Sequence, residues 1–406
     1  MTSLNTNIQS ALSGLPTQTV QYTGTDVDDL NQFLQNNTGK IVQLTQDIQV
    51  YKNTNGSFGI IMVPSDTILD GNGHRLVMKA GYTEAPDVGV VLYVYKDGVI
   101  PSTNCGVKNL STDIPYVNSI NVFSADNILI ENNTLNNATK SGIMISDEYG
   151  STVNGIIRGN TINNVGDDAI AVYGNHSNLL IDSNRISGAK GFAGIAISCL
   201  QNGQQIRVDN ETTGPHDIIV TGNVISGCSG EALYCIGSYK TYITYNTLRD
   251  SILEGVCLDS GCIGNYFAHN EVVNNGIAGG LPGVSIDNGI YNIVDSNNVY
   301  NNSCSGIKLV RTGLGNIIVN NICTDNAYNQ MGAKSSGIDI EPLAVETENL
   351  GYIDGLGSNW NVVLNNTVTG SHDFGVFIAD DDTANNGGSS CENVIMYNKF
   401  SSAYTF

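Results

Sequence analysis

Residues 217–300 read DIIVTGNVISGCSGEALYCIGSYKTYITYNTLRDSILEGVCLDSGCIGNYFAHNEVVNNGIAGGLPGVSIDNGIYNIVDSNNVY. Two short patterns alternate through this stretch. One is a β-prone run ending in asparagine, at Asn223, Asn246, Asn270 and Asn297. The other opens on a small residue: ALYCI from Ala232, GVCLD from Gly255 and GVSID from Gly283. The asparagines are 23, 24 and 27 residues apart. A near-constant period of this length marks a solenoid, in which each coil buries its apolar face only against its neighbours.

The asparagine phase extends back through Asn184, Asn160 and Asn133 and forward through Asn321, Asn366 and Asn398. The second phase recurs at Gly142, Ala169, Gly194, Gly306, Gly337 and Gly375, with longer gaps where loops are inserted. These patterns predict an all-β fold, a single-stranded right-handed parallel β-helix over residues 55–406. Its coils become legible near GIIMVPSDTILDGNGHRLVM, from Gly59. Residues 1–54 are predicted to supply an N-terminal cap and the first strands. DDLNQFLQNN, residues 28–37, sets Leu30, Phe33 and Leu34 at helical spacing, which predicts a short capping helix that stops edge pairing of the first coil. Stacked asparagines are expected to be scaffolding, paired coil to coil and tolerant of left-handed backbone.

A chain of 406 residues would ordinarily split into separate cores, a limit that a solenoid escapes. Gly 46 against Pro 8 fits many tight bends and no rigid linkers. Lys+Arg 17 against Asp+Glu 38 leaves a charge of −21, which repels nucleic acid, anionic membranes and polyanionic glycans unless cations intervene. The sequence shows no signal peptide and no apolar run long enough to span a membrane; an extracellular or virion-associated setting is expected. The cysteines (Cys105, Cys199, Cys228, Cys235, Cys257, Cys262, Cys304, Cys323 and Cys391) lack zinc-site spacing and are expected as small buried hydrophobes, not as a disulfide framework.

Strand alternation sorts the second phase into two sides. Ile143, Ile145, Val256, Leu258, Val284, Ile286, Ile307, Leu309, Ile338 and Ile340 point inward. The outward third position reads Met144, Ala171, Ala196, Tyr234, Cys257, Ser285, Lys308, Asp339, Phe377, and the fifth reads Ser146, Tyr173, Ser198, Ile236, Asp259, Asp287, Val310, Glu341, Ala379. Glu231 and Glu254 stand just ahead of their strands. Carboxylates therefore gather on one wall from Glu231 to Glu341. Asp259 and Asp287 fall at equivalent places on neighbouring coils, about 4.8 Å apart by strand spacing. Two such groups cannot both ionise cheaply, so one pKa should rise, as a general acid requires. A glycosidase needs this pairing of an acid with a base or nucleophile. Asp259, Asp287, Glu254, Glu231, Asp339 and Glu341 are thus the catalytic candidates. Lys308 and Arg311, with the aromatic Tyr234, Tyr173 and Phe377, are candidates for holding substrate. Solvated surface is the plain alternative for each carboxylate. A calcium ion held by several of these oxygens is a third reading; no dedicated metal or cofactor motif is present. The acidic triplet Asp380, Asp381 and Asp382 reads as solvated loop. The histidines His74, His176, His216, His269 and His372 are dispersed, and His269 is placed away from the wall.

One local motif carries a resemblance. Gly166-Asp167-Asp168-Ala169-Ile170-Ala171-Val172 is similar to the GDDCIAI segment of polygalacturonase-type hydrolases, where the paired aspartates are catalytic. With the repeat, which covers residue 55 to the end, the chain resembles the pectin-lyase-like superfamily of right-handed β-helices. That superfamily includes polysaccharide lyases, hydrolases, alginate C5-epimerases and phage tailspike depolymerases. The resemblance implies a polysaccharide or oligosaccharide substrate, and makes Asp167 and Asp168 secondary catalytic candidates. Their neighbours depart from the hydrolase pattern: Ser141 stands where an aspartate is expected, Ala193 where a histidine is expected, and EALYC where RIK is expected. GIDIEP, from Gly337, is similar to tailspike-like segments.

The leading expectation is a glycoside hydrolase or related polysaccharide-processing enzyme working through paired outward carboxylates. The alternatives are a calcium-assisted lyase or C5-epimerase, and a non-catalytic glycan-binding or tailspike-like module. An epimerase would want a Tyr/His pair beside an acid, which the linear sequence does not display. Neither nucleic acid nor membrane is an expected partner. Flat solenoid faces would suit a homo-oligomer, a trimer for example.

Overall fold

The computed structural model describes residues 2–52, 59–92, 94–95, 99–100, 102–148, 150–199, 214–311, 313–327, 336–341, 357–370, 372, 374–379 and 390–402. The chain is an all-β right-handed parallel β-solenoid with a short N-terminal helical segment. It packs into two compact units: residues 1–191 with 217–219, and residues 192–216 with 220–406.

In the first unit a coil runs through three strands, Ala125–Glu131, Thr134–Asn136 and Ile143–Ser146, one in each of three sheets. The next coil repeats them as Val153–Arg158, Thr161–Asn163 and Ile170–Tyr173, paired in parallel strand for strand. Alternation sends Ile143, Ile145, Ile170 and Val172 into the core, where all are fully buried. A small antiparallel pair, Val94–Tyr95 with Val99–Ile100, is the exception to parallel pairing among the described residues.

Parallel pairing starts earlier than Gly59, where the repeat becomes legible: Thr19 already pairs with Ile41. Helix α2, Val27–Asn36, hides the period in that first coil, because a helix stands where the third sheet would begin. Asp26 caps it by accepting from the Asp28 amide at 2.9 Å, and Asp28 and Asp29 lie at the positive end of its dipole. Val27, Leu30 and Leu34 are buried, and Phe33 packs on Tyr22 with ring centres 5.2 Å apart. Asn31 then meets the first strand of the third sheet. Its carboxamide accepts from the Met62 amide at 2.8 Å and donates to the Ile60 carbonyl at 2.7 Å, as a neighbouring strand would. A further helix, α1, Thr2–Ala11, forms in a polar stretch whose sequence pattern did not signal it. It packs on the strands Val153–Arg158 and Ser177–Asp182.

The second unit repeats the same coil, and its asparagines form three columns, not one. The column read from the sequence lies between the first and second sheets. Asn270 shows the unit of structure: its Oδ1 accepts from the Asn246 amide at 2.9 Å and from Asn246 Nδ2 at 3.0 Å, while its Nδ2 donates to the Ile243 carbonyl at 2.9 Å and to Asn297 Oδ1 at 3.0 Å. Asn265, Asn292, Asn316, Asn361 and Asn393 form a second column ahead of the first sheet. Asn275, Asn302 and Asn326 form a third after the second sheet. The asparagines of the main column tolerate left-handed backbone but do not adopt it. The left-handed residue is the one before each: Tyr245 (φ 58°), His269 (φ 56°), Ser296 (φ 55°) and Asn320 (φ 59°). That bend lets the following asparagine turn inward.

In the first unit, His176 takes a column position and accepts from the Thr152 amide through Nδ1 at 2.9 Å. Nε2 lies 2.8 Å from the Tyr173 carbonyl, so Nε2 carries the proton. The nine cysteines are free thiols, and all but Cys391 are buried.

Candidate active site

The carboxylate wall belongs to the third sheet of the second unit. Its strands Leu233–Ile236, Val256–Asp259, Val284–Asp287, Ile307–Val310 and Ser336–Ile340 pair in the register read from the sequence. Tyr234 aligns with Cys257, Cys257 with Ser285, Ser285 with Lys308, Lys308 with Asp339, and Asp339 with Phe377. Leu258 pairs with Ile286, so Asp259 and Asp287, the next residue of each strand, stand one above the other. The Ala232 amide bonds to the Glu254 carbonyl at 3.2 Å, which sets Glu231 and Glu254 on adjacent coils. Inward neighbours Val256, Leu258, Val284 and Ile286 are fully buried and hold the backbone rigid beneath the polar face.

The polar groups are engaged in specific pairs. Tyr234 Oη donates to Asp259 Oδ2 at 2.7 Å, and the Phe192 ring meets Tyr234 edge-on at 4.8 Å. Asp259 Oδ1 accepts from the Ser260 amide at 2.6 Å and from Ser260 Oγ at 2.8 Å. Arg311 Nη1 lies 2.8 Å from Asp287 Oδ2, and Lys308 Nζ lies 2.8 Å from Glu341 Oε2. Asp339, 1% exposed, accepts from Ser305 Oγ and, at 2.7 Å, from Ser336 Oγ. Ser305, Ser336, Ser260 and Phe192 were missed by sequence reading. Ser305 and Ser336 occupy the same place ahead of their strands as Glu231 and Glu254, and reading that position down its whole column would have found them.

Stacked acids move each other's protons. Burial, then the Asp259 charge, pushes Asp287 up to about 7 against the pull of Arg311. Burial, then the Glu231 charge, pushes Glu254 up to about 7. Burial raises Asp339, with Ser305, Ser336 and Lys308 acting against it. Burial opposes the charge on Lys308, but its bond to Glu341 and the charges of Glu341 and Asp339 outweigh that and raise its pKa. Burial and Asp259 raise Tyr234, which therefore stays a neutral phenol. Burial and the surrounding acids, Asp259 foremost, hold Cys257 as a thiol well above its ordinary range. The wall thus sets a carboxyl whose pKa is pushed up to about 7 (Asp287) one coil from a carboxylate that accepts three hydrogen bonds (Asp259).

The remaining candidates lie elsewhere. Asp168 is fully buried in the first unit and takes a hydrogen bond from Tyr173 Oη. Asp167 donates its amide to the Lys140 carbonyl at 3.2 Å. Phe377 lies at the wall's far strand, 5.3 Å from the Phe374 ring. The triplet Asp380–Asp382 falls outside the described residues. In the wall one oxygen of Asp287 and one of Glu341 face cations, while Asp287 Oδ1 is buried without a hydrogen-bond partner. Among the described residues no group of three or more His, Cys, Asp or Glu is arranged to hold a metal.

Residues 92–213 match the family model described as "Right handed beta helix region". No curated protein sequence matches the chain. Among solved structures, the A-module of the Azotobacter vinelandii mannuronan C-5 epimerase AlgE6 is similar, with a TM-score of 0.59 and 12% identity over 94% of this chain and 100% of that one. PfbA, a surface adhesin of Streptococcus pneumoniae, gives a TM-score of 0.53 and 12% identity over 93% of each chain. The periplasmic alginate epimerase AlgG gives a TM-score of 0.50 and 12% identity over 98% of this chain and 88% of that one. At such identities the likeness is one of fold, and the chain is similar in architecture to both polysaccharide epimerases and an adhesin.

Proposed function

We propose that the chain is a polysaccharide-processing enzyme and that its wall moves a proton at C5 of a uronic acid residue, giving epimerisation or β-elimination. The observation that carries this reading is the Tyr234–Asp259 hydrogen bond, set one coil from protonated Asp287 and in one wall with two cations. Arg311 and Lys308 supply the positive charge that a uronate needs, which answers the repulsion expected from the net charge of −21. A neutralised uronate carboxyl acidifies the C5 hydrogen. Tyr234 takes that hydrogen as its own phenolic proton passes to Asp259, so the phenol stays neutral throughout and Asp259 ends protonated. Asp287 then gives its proton either to the opposite face of C5, which inverts that centre, or to the departing O4, which leaves a double bond. The Tyr–acid pair was not legible in the linear sequence because its members are 25 residues apart and meet only through coil stacking. The two similar epimerase structures favour this class, and the adhesin keeps a binding-only role in view.

The leading expectation from sequence, glycoside hydrolysis, stands as the second reading. It is favoured by the same pair, with Asp287 as acid to the leaving oxygen and Asp259 as base or nucleophile. Incubation with mannuronan, pectate and neutral glucans in heavy water separates the cases. Deuterium at C5 marks an epimerase, ultraviolet absorbance of a new double bond marks a lyase, and new reducing ends alone mark a hydrolase. Loss of turnover on adding a chelator marks the calcium-assisted form of the reaction. Saturable binding without any product would leave only a binding module.

A further inference from the structure

Left-handed backbone is costly for side chains other than glycine and asparagine, by about 1–2 kcal/mol per residue. In the second unit, four aromatic residues adopt it: Tyr245 (φ 58°), Tyr291 (φ 54°), Trp360 (φ 54°) and Tyr397 (φ 56°). Burial does not compensate them. They are 61%, 67%, 54% and 74% exposed, the highest values among the large exposed hydrophobics. The bend itself belongs to the coil, since the same position is left-handed on successive coils with lysine, glycine or glutamate in it. What the bend does not require is a large aromatic ring held out in solvent, and strained residues gather at functional surfaces.

Two of the four share one corner, where the chain leaves the third sheet for the first. The left-handed position there reads Lys240, Gly264, Tyr291, Gly315, Trp360, Glu392 on successive coils. Glycine fills it where it can. Tyr291 abuts the next coil: a Cβ on Gly315 would stand 2.6 and 2.7 Å from two atoms along one edge of its ring, so that edge rests on the coil while the residue stays 67% exposed. Trp360 is held by its Nε1, which donates to Glu392 one coil on. The rings are thus two coils apart along the stack, about 10 Å at the usual strand spacing. One coil is comparable to the length of one pyranose residue, so alternate sugars of a chain lying along the corner would meet a ring. Tyr291 is also four residues beyond Asp287, on the flank of the wall.

We infer that the Tyr291–Trp360 corner is a second carbohydrate-binding surface, on which the apolar faces of a polysaccharide chain stack while the wall works on another segment. This rests on the polysaccharide reading above and adds a site to it. It predicts that long chains are held better than short oligosaccharides.

The test uses the Tyr291→Gly, Trp360→Gly double variant of the full chain in native affinity gels cast with alginate, pectate or a neutral β-glucan. Tyr245→Gly, the same strained conformation at a different corner, is the control. Retardation by the polysaccharide that binds wild type should weaken about tenfold in the double variant and stay unchanged in Tyr245→Gly. Turnover of a hexasaccharide should not change. The melting temperature should hold or rise, because glycine relieves the strain. Unchanged retardation in the double variant overturns the corner site and leaves the wall untouched. So does a fall in melting temperature with unchanged binding, which would make the rings structural. If wild type binds no polysaccharide, both readings fall together. If it binds without product and the double variant does not, the corner stands and the enzymatic reading falls.

Discussion

The second unit stacks polar side chains in two ways. In the asparagine columns each carboxamide is donor and acceptor at once, so identical neighbours complete one another: Asn246, Asn270, Asn297 and Asn321 are almost wholly buried, and each is bonded above and below. On the wall the stacked groups are carboxyls, which accept without donating when ionised. Asp259 above Asp287 and Glu231 above Glu254 repel, and the conflict is resolved by protons, by Tyr234 and by two cations. The same coil geometry therefore makes a scaffold from a self-complementary side chain and a reactive surface from a self-repelling one.

The largest expected effect separates the two columns by activity. Asp259→Asn and Asp287→Asn should each lower kcat by about 10²–10⁴-fold with an unchanged circular dichroism spectrum. Wild-type kcat should also fall as pH rises through about 7, because Asp287 must carry its proton. Full activity in either variant would reduce the wall to a buried structural cluster. Next comes Asn270→Ala, which strands the Asn246 amide and the Ile243 carbonyl in the core and should cost about 3 kcal/mol in urea unfolding. A cost under about 1 kcal/mol would contradict the scaffold reading.

Glu254→Gln should do the opposite. The folded pKa of Glu254, about 7, lies above its unfolded value of about 4.3, so the folded state holds an extra proton between them. The stability this provides is complete below the unfolded value and is lost as pH rises through about 7. The variant should therefore be more stable than wild type by roughly 2 kcal/mol at pH 8 and no more stable at pH 4, as read by thermal melts. Equal stability at both pH values would mean that Glu254 is not held in conflict with Glu231. The smallest effect belongs to Asn398→Ala, in the half-buried last position of its column. Water can replace part of its bonding to Asn366 and Val363, and the expected cost is about 1 kcal/mol.

Periodicity made the coils, the register of the third sheet and the main asparagine column legible. A repeat advertises itself in sequence when equivalent positions hold similar residues. The second column escaped because its first-unit members include Thr152 and His176 in place of asparagine, and the third because Ser251 and His372 flank its three asparagines. Asp259 and Asp287 were found by register, but their partners Tyr234 and Arg311 arrive from neighbouring coils, and side-chain reach is not written in a linear pattern. The start of the solenoid was hidden by α2, whose helical period conceals that Asn31 continues a sheet.

His176 has one more consequence. An asparagine in its place would be indifferent to acid, but the imidazole keeps the Thr152 amide bonded only while Nδ1 is bare. Burial pushes its pKa down to about 4, below the ordinary histidine value near 6.5, so its contribution is whole above that ordinary value and drains away as pH falls toward the lower one. The first unit thus carries a weak stitch in its seam, and acidification should unpick the solenoid beginning at that coil while the amide-only columns stay closed.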